Sequence, residues 1–461
     1  MNDLSVRSDG SDAPLDKTSG KQLAAHGSIL GVATIIANAG NYLLNVFLGR
    51  WLTPSEFADA NLMVTIMLLI TAAAVSLQLI AARFASIHEA SGTRDETLAL
   101  SKYLERRAGL IGLALGLGLA LPAQFWSDFF NTRTALPFVI LGAGMPFYLV
   151  QAVGRGVLQG RLTFRPLAAT FVVEMVVRVA AGVGLVAAGL GVEGATLGLT
   201  LSFLATWFHV RHLTRPDAAG STNATASSAP TMSADAVRSL RTYAGPVGVL
   251  LLGQIIINNG DVLVAKRFLD PDTAGVYAAV ALVGRAVFFL SWSVATTLFP
   301  AAAQRDQAGE DSNGLLYGGL GIVALMGVGF VVGAKLLGGI VLGEVFGPEY
   351  RGVSDQLALY AFATSLFAMA NLIVCHHLSM GRRRESFLLV AGGVVQTALL
   401  LAGRGSIDSL ISAQVVAMAI LLGVIATSHA LGQRRNTSTL PANVEILHPE
   451  QASNKEKRKA A

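Results

Sequence analysis

The chain has 461 residues, 53% of them hydrophobic and 14% charged, with a mean hydropathy of +0.57 and a formal charge of +5. A soluble domain carries about 25% charged residues, so this composition excludes a soluble enzyme. It also excludes a nucleic-acid binder, because most of the basic residues lie in short connections between apolar runs.

Residues 1–27 form a polar tail without the apolar core of a cleaved signal peptide. Twelve apolar runs follow, at 28–49, 60–82, 108–126, 136–158, 167–189, 191–210, 245–266, 274–299, 315–343, 356–379, 385–403 and 408–431. Each approaches the ~20 residues that cross a ~30 Å hydrocarbon core. The expected fold is therefore an all-α integral membrane protein of about twelve transmembrane helices. Gly189 and Gly191 separate two spans that could be mistaken for one, and Lys335 with many glycines predicts a tilted or broken ninth helix. Residues 212–241 are rich in Ser, Thr, Asn, Ala and Pro and read as a flexible linker. They divide a first lobe (28–211) from a second (242–431), and 432–461 form a basic tail. That tail, with Lys455, Lys457, Arg458 and Lys459, reads first as a topology signal and second as a contact for anionic headgroups. The sequons at Asn223 and Asn436 fall on the cytoplasmic side and read as chance.

With both termini inside, 24 of the 34 Lys and Arg lie on the cytoplasmic side and 7 on the other, and Arg155, Arg178 and Arg285 lie within spans. The positive-inside rule thus favours cytoplasmic termini. The halves also look duplicated. Arg50-Trp-Leu-Thr-Pro54 recurs as Arg267-Phe-Leu-Asp-Pro271, and Asn41 recurs as Asn258, both at an offset of 217. Gln159-Gly-Arg161 recurs as Met380-Gly-Arg382 at an offset of 221. Six spans per half is an even number, which makes the repeats parallel. Transporters of that build hold substrate between their halves and expose it alternately.

A charge at mid-membrane costs about 2.5–3.5 kcal/mol on insertion scales and is a functional candidate by default. Arg178 and Arg285 lie near the middle of spans 5 and 8. Glu174 precedes Arg178 by four residues and shares its helix face, which fits either a structural ion pair or a site. Arg285 has no such helical partner and reads as a site residue. Arg155 sits near the end of span 4, where snorkelling to the interface is the plainer reading. His376 and His377 read as helix-packing or interfacial. Asn38, Asn41 and Asn45 form a polar face on span 1, and Asn258, Asn259 and Asp261 a comparable set on span 7. Either set bonds neighbouring helices or walls a cavity. Asp261 reads as an interfacial partner of Lys266 and, alternatively, as the candidate site for a coupling cation. No P-loop, zinc-protease or hydrolase-elbow motif is present, so neither a cofactor nor a resident metal is expected.

The stretch Asn41–Ala58 (NYLLNVFLGRWLTPSEFA) resembles the opening of the polysaccharide and O-antigen flippases of the multidrug/oligosaccharidyl-lipid/polysaccharide exporter superfamily. Their pattern is a polar first helix followed by a Leu-Gly-Pro-Glu-Glu-Tyr-Gly turn. Asn258–Tyr277 (NNGDVLVAKRFLDPDTAGVY) repeats it, and Gly156–Arg161, Leu357–Phe362 and Leu378–Arg382 are also similar to that family. The resemblance implies two six-helix lobes in a V around a central cavity. It implies a plasma-membrane flippase for a polyprenyl-diphosphate-linked oligosaccharide in lipopolysaccharide or other surface polysaccharide assembly. Its expected partners are membrane lipid, the lipid-linked glycan, polymerase proteins and a monovalent cation. Asn residues suit a sugar headgroup, and Arg178 and Arg285 suit a diphosphate. The alternative is a cation-coupled small-molecule antiporter on the same fold, working through Asp261 and Glu174.

Overall fold

The computed structural model describes residues 33, 36–37, 39–90, 94–214, 234–307, 312–380 and 384–438. The N-terminal tail, Asn38, most of the linker with Asn223, the Arg382–Arg383 pair and the lysines of the C-terminal tail lie outside the described residues. The described chain is helical with no strand: α1 (39–51), α2 (Pro54–Ala90), α3 (Arg94–Ala120), α4 (Ala123–Phe130), α5 (Leu136–Gly160), α6 (Phe164–Leu185) and α7 (Gly191–Leu213). The second half continues with α8 (Ala234–Phe268), α9 (Pro271–Gly284), α10 (Ala286–Gln307), α11 (Asn313–Val345), α12 (Ser354–Ser379), α13 (Arg384–Ala402) and α14 (Ile407–Ser438). Among the described residues, every apolar run of the sequence falls on one or two of these helices. Among the described residues, seven continuous helical stretches are long and apolar enough to cross a membrane unaided, and the bent α3–α4 pair makes an eighth.

One of those stretches, Phe164–Leu213, is 50 residues long and contains two spans. Gly189 (φ 89°) and Gly191 (φ 51°) take backbone angles that other residues rarely adopt, and the chain reverses there. Arg178 faces Ser202 across the resulting hairpin, and a Cβ on Gly198 would lie 2.4 Å from the Gly182 nitrogen, so α6 and α7 pack backbone to backbone.

Two expectations need correction, and a third narrows to one of its alternatives. The helix that carries the third apolar run begins at Arg94 and ends at Ala120; the separate helix α4 follows Pro122, bent by 61° from α3. Span 8 is interrupted at Arg285, which caps α9 before α10 begins. Span 9 does not break: α11 runs unbroken for 33 residues, about 50 Å at 1.5 Å per residue, and so tilts or protrudes.

The repeated Arg-x-Leu-x-Pro motif has a local cause. Thr53 and Glu56 form a reciprocal capping box at the start of α2, with bonds of 3.0 and 3.3 Å, and Pro54 occupies its first turn. Asp270 accepts from the Thr273 nitrogen at 3.0 Å at the start of α9, with Pro271 behind it. Each copy therefore launches a helix.

Alternation of the spans is visible in what the connections touch. Asn131 donates to the Arg267 carbonyl, Thr134 to Glu193 and Arg50 to the Glu344 carbonyl, while Arg404 lies over the Phe268 ring and Gln356 donates to Asp408. Connections 1, 3, 5, 7, 9 and 11 thus meet at one end. At the other, Arg161 pairs with Glu89 and Ser312 meets His376. This sorting agrees with twelve spans.

Apolar packing follows the same plan. One buried cluster lies within 62–203 and a second within 257–425. A third joins the two halves through Leu44, Leu48, Leu52, Phe57, Tyr277, Phe346, Tyr350 and Tyr360. Many of its members, Leu52, Phe57, Phe346 and Tyr350 among them, flank the odd-numbered connections.

Candidate functional site

Among the described residues, one buried charge cluster lies within each half. In the first half, Glu174 of α6 is shared by two guanidinium groups. Arg178, one turn along the same helix, pairs with one carboxylate oxygen, and Arg155 of α5 lies 2.7 Å from the other. Arg155 also donates to the Thr170 hydroxyl and carbonyl at 3.0 Å each and lies 4.2 Å over the Phe171 ring. Arg178 reaches Asn41 Oδ1 on α1 at 3.0 Å and Ser202 Oγ on α7 at 3.4 Å. Arg155 and Arg178 are each 6% exposed. Arg155 therefore does not snorkel as expected; a carboxylate inside the bundle holds it. Two cations on one anion leave a formal surplus of +1 in a low-dielectric site, where charge is expensive unless paired.

The cluster of the second half is neutral. Asp261 of α8 is fully buried and accepts from Arg285 at 2.8 Å, Tyr277 at 3.0 Å and Tyr360 at 2.6 Å. Arg285 also donates to the Tyr360 hydroxyl at 3.0 Å and to Asn259 Oδ1 at 3.4 Å. Arg285 thus has the carboxylate partner that helix spacing could not show, because that partner is on another helix. Gly284 is needed beside it, since a Cβ there would meet the Tyr360 ring at 2.4 Å.

The remaining asparagines divide. Asn45 and Asn258 donate to carbonyls of their own helices, Asn41 O and Gln254 O, at 2.9 Å each. Asn259 donates to Ile255 O at 3.0 Å while accepting from Arg285. Of the five such positions among the described residues, Asn41, Asn259 and Asp261 receive an arginine. His376 and His377 are buried, and His377 Nε2 lies 2.7 Å from His429 Nδ1 on α14.

Lys266 pairs not with Asp261 but across the two halves. Its ammonium is 2.6 Å from Asp59 Oδ1, the side chains being 2% and 3% exposed. Asp59 Oδ2 accepts from the Arg133 backbone nitrogen at 3.1 Å, Arg133 pairs with Glu56, and Lys266 donates to the Asn131 carbonyl at 3.3 Å. Beside this network α9 is pressed against the start of α2, where a Cβ on Gly275 would lie 1.9 Å from the Pro54 carbonyl. The end bearing the odd-numbered connections is therefore closed by a buried contact between halves with an ion pair in it. Sequence reading missed Asp59; the signal was a lone carboxylate on an apolar segment, Phe57-Ala-Asp59-Ala.

This arrangement of helices is shared with solved membrane proteins of low sequence identity. The chain is similar to a solved multidrug resistance MATE family transporter of the MOP superfamily in an inward-facing conformation, with TM-score 0.73 and 12% identity over 89% of this chain and 99% of that one. It is similar also to the lipid II flippase MurJ in an inward closed conformation, with TM-score 0.68 and 13% identity over 87% of each chain. An outward-facing MATE family transporter aligns at TM-score 0.53 and 15% identity over 90% of this chain and 96% of that one. No curated protein matches by sequence. The model of the family described as "Polysaccharide biosynthesis protein" matches residues 23–305, more than half of the chain. The protein belongs to that polysaccharide biosynthesis family.

Proposed function

We propose that this protein flips a polyprenyl-diphosphate-linked oligosaccharide from the cytoplasmic to the outer leaflet of the plasma membrane for surface polysaccharide assembly, by alternating access between its two lobes. The observation that carries this reading is the Glu174 cluster. Its two arginines on one carboxylate offer a net positive charge to an anionic headgroup, and Arg is suited to bidentate phosphate contacts. Asn41, half-buried beside Arg178, supplies a hydrogen-bonding wall for sugar. Similarity to a lipid II flippase and membership of a polysaccharide biosynthesis family support a lipid-linked glycan as substrate. The closed end faces outward and both termini lie in the cytoplasm, in keeping with the basic even-numbered connections.

The antiporter alternative draws less support, because both Asp261 oxygens are occupied by Arg285, Tyr277 and Tyr360. The test is made in a deletion strain, reading surface polysaccharide together with the lipid-linked precursor. Loss of surface glycan with precursor retained in the inner leaflet is expected, and Arg178→Gln should fail to complement while accumulating normally. Normal glycan and precursor in the deletion strain, with altered resistance to small toxic cations, would replace the flippase reading by the antiporter.

A further inference from the structure

Helix launching accounts for the Thr, Asp and Pro of the repeated Arg-x-Leu-x-Pro motif but leaves its arginine unexplained. Arg50 and Arg267 hold the same place in the two halves, the last turn of the first helix, α1 or α8. Each reaches into the other half. Arg50 donates from Nη1 to the Glu344 carbonyl at the end of α11, at 2.6 Å. Arg267 lies 5.0 Å over the Phe129 ring of α4, and its carbonyl accepts from Asn131 Nδ2 at 3.1 Å.

The segments that receive them are equivalent too. Each joins the third and fourth spans of its half, and Phe129 and Phe346 are related by the same offset of 217 that relates the arginines. The residue before each arginine makes the same crossing. A Cβ on Gly49 would lie 2.1 Å from Phe346 Cδ1, and Lys266 donates to the Asn131 carbonyl at 3.3 Å. The first helix of each half therefore ends on the third connection of the other, with partners exchanged as across a two-fold axis. The chemistry of the two contacts differs, a carbonyl for one arginine and a ring face for the other, but the place is the same. Arg50 is exposed and Arg267 half-buried, so water can replace their bonds at little net cost when the contact parts. The Lys266–Asp59 pair, at 2% and 3% exposure, lacks that freedom.

We propose that Arg50 and Arg267 are paired latches of the closed end, which release together when the two halves swing apart there. This rests on alternating access between the lobes and not on the identity of the substrate. For the test, Leu52→Cys or Leu269→Cys is introduced into a Cys375→Ser protein in lipid nanodiscs, and the rate of maleimide labelling is read. The two leucines are related by the offset of 217 and are each 7% exposed. Arg50→Ala and Arg267→Ala should each raise the rate about fivefold, the effect of about one net hydrogen bond or cation–π contact. The rise should appear at both cysteines, near and far. Lys335→Ala removes a cation that pairs with Asp355 inside the second half and should change neither. The native Cys375, 5% exposed, should label no faster in either arginine variant than in wild type, so the rise is opening and not unfolding. Unchanged labelling at both reporters would overturn the latches. A rise confined to the cysteine beside the substituted arginine would be local fraying and would overturn their pairing. Faster labelling of Cys375 would mean loss of fold and would overturn the proposal as well. No substrate is present, so failure here leaves the glycan reading intact.

Discussion

The Glu174 and Asp261 clusters hold similar groups to opposite ends. Around Asp261, one carboxylate meets one guanidinium and two tyrosine hydroxyls, so charge and hydrogen-bonding capacity close on themselves. Around Glu174, two guanidiniums share one carboxylate, each on its own oxygen, and Arg178 also leans on the neutral Asn41 and Ser202. A closed cluster is what helix packing needs; an unbalanced one is what an anionic ligand needs. Burial alone does not separate them, because Arg155, Arg178 and Arg285 are all under 9% exposed. The count of partners does.

The largest effect should come from opening the closed cluster. Asp261→Asn leaves Arg285 buried without its counter-charge, a loss of about 3–5 kcal/mol, and thermal unfolding in detergent should show it. Asp261→Asn with Arg285→Gln removes both charges, and the double variant should recover most of that loss. Failure to recover would mean that the Asp261 carboxylate has a task beyond holding Arg285.

The unbalanced cluster should respond in the opposite sense. Arg178→Gln leaves Arg155 and Glu174 as a matched pair, so stability should change little. Transport should fall by about ten- to a hundredfold, the equivalent of about 1.5–3 kcal/mol for a lost charged hydrogen bond. Flipping of a labelled lipid-linked glycan in proteoliposomes measures it. Stability loss without transport loss would reverse the assignment of the two clusters.

The contact between halves offers a third comparison. Asp59→Asn leaves Lys266 buried and unpaired, and the protein can relieve that only by wetting the closed end. Labelling of Ala274→Cys, a 3% exposed position in that contact, by an impermeant maleimide should therefore rise. Restoring opposite charges as Asp59→Lys with Lys266→Asp should lower it again. The smallest effect belongs to the helix cap. The Thr273 amide and hydroxyl hold the Asp270 carboxyl below the usual carboxylate range. Its stabilisation is complete above the unfolded pKa near 3.9 and is lost as pH falls through the lower folded value. Asp270→Ala should cost about 1 kcal/mol at neutral pH and less in acid.

Hydropathy was enough to find the apolar helices, because a membrane demands long apolar runs whatever the packing. The spacing of Glu174 and Arg178 also disclosed a real pair, since one helical turn brings them together in any fold. Gly189 and Gly191 marked a reversal for the same local reason. Partners on different helices left no such trace. Arg155 met Glu174 across α5 and α6, Arg285 met Asp261 across a broken span, and Lys266 passed over its near neighbour for Asp59 in the other half. Sequence separation carries no distance between helices, so only the tertiary structure could decide which buried charges are matched and which cluster is left with a charge to offer.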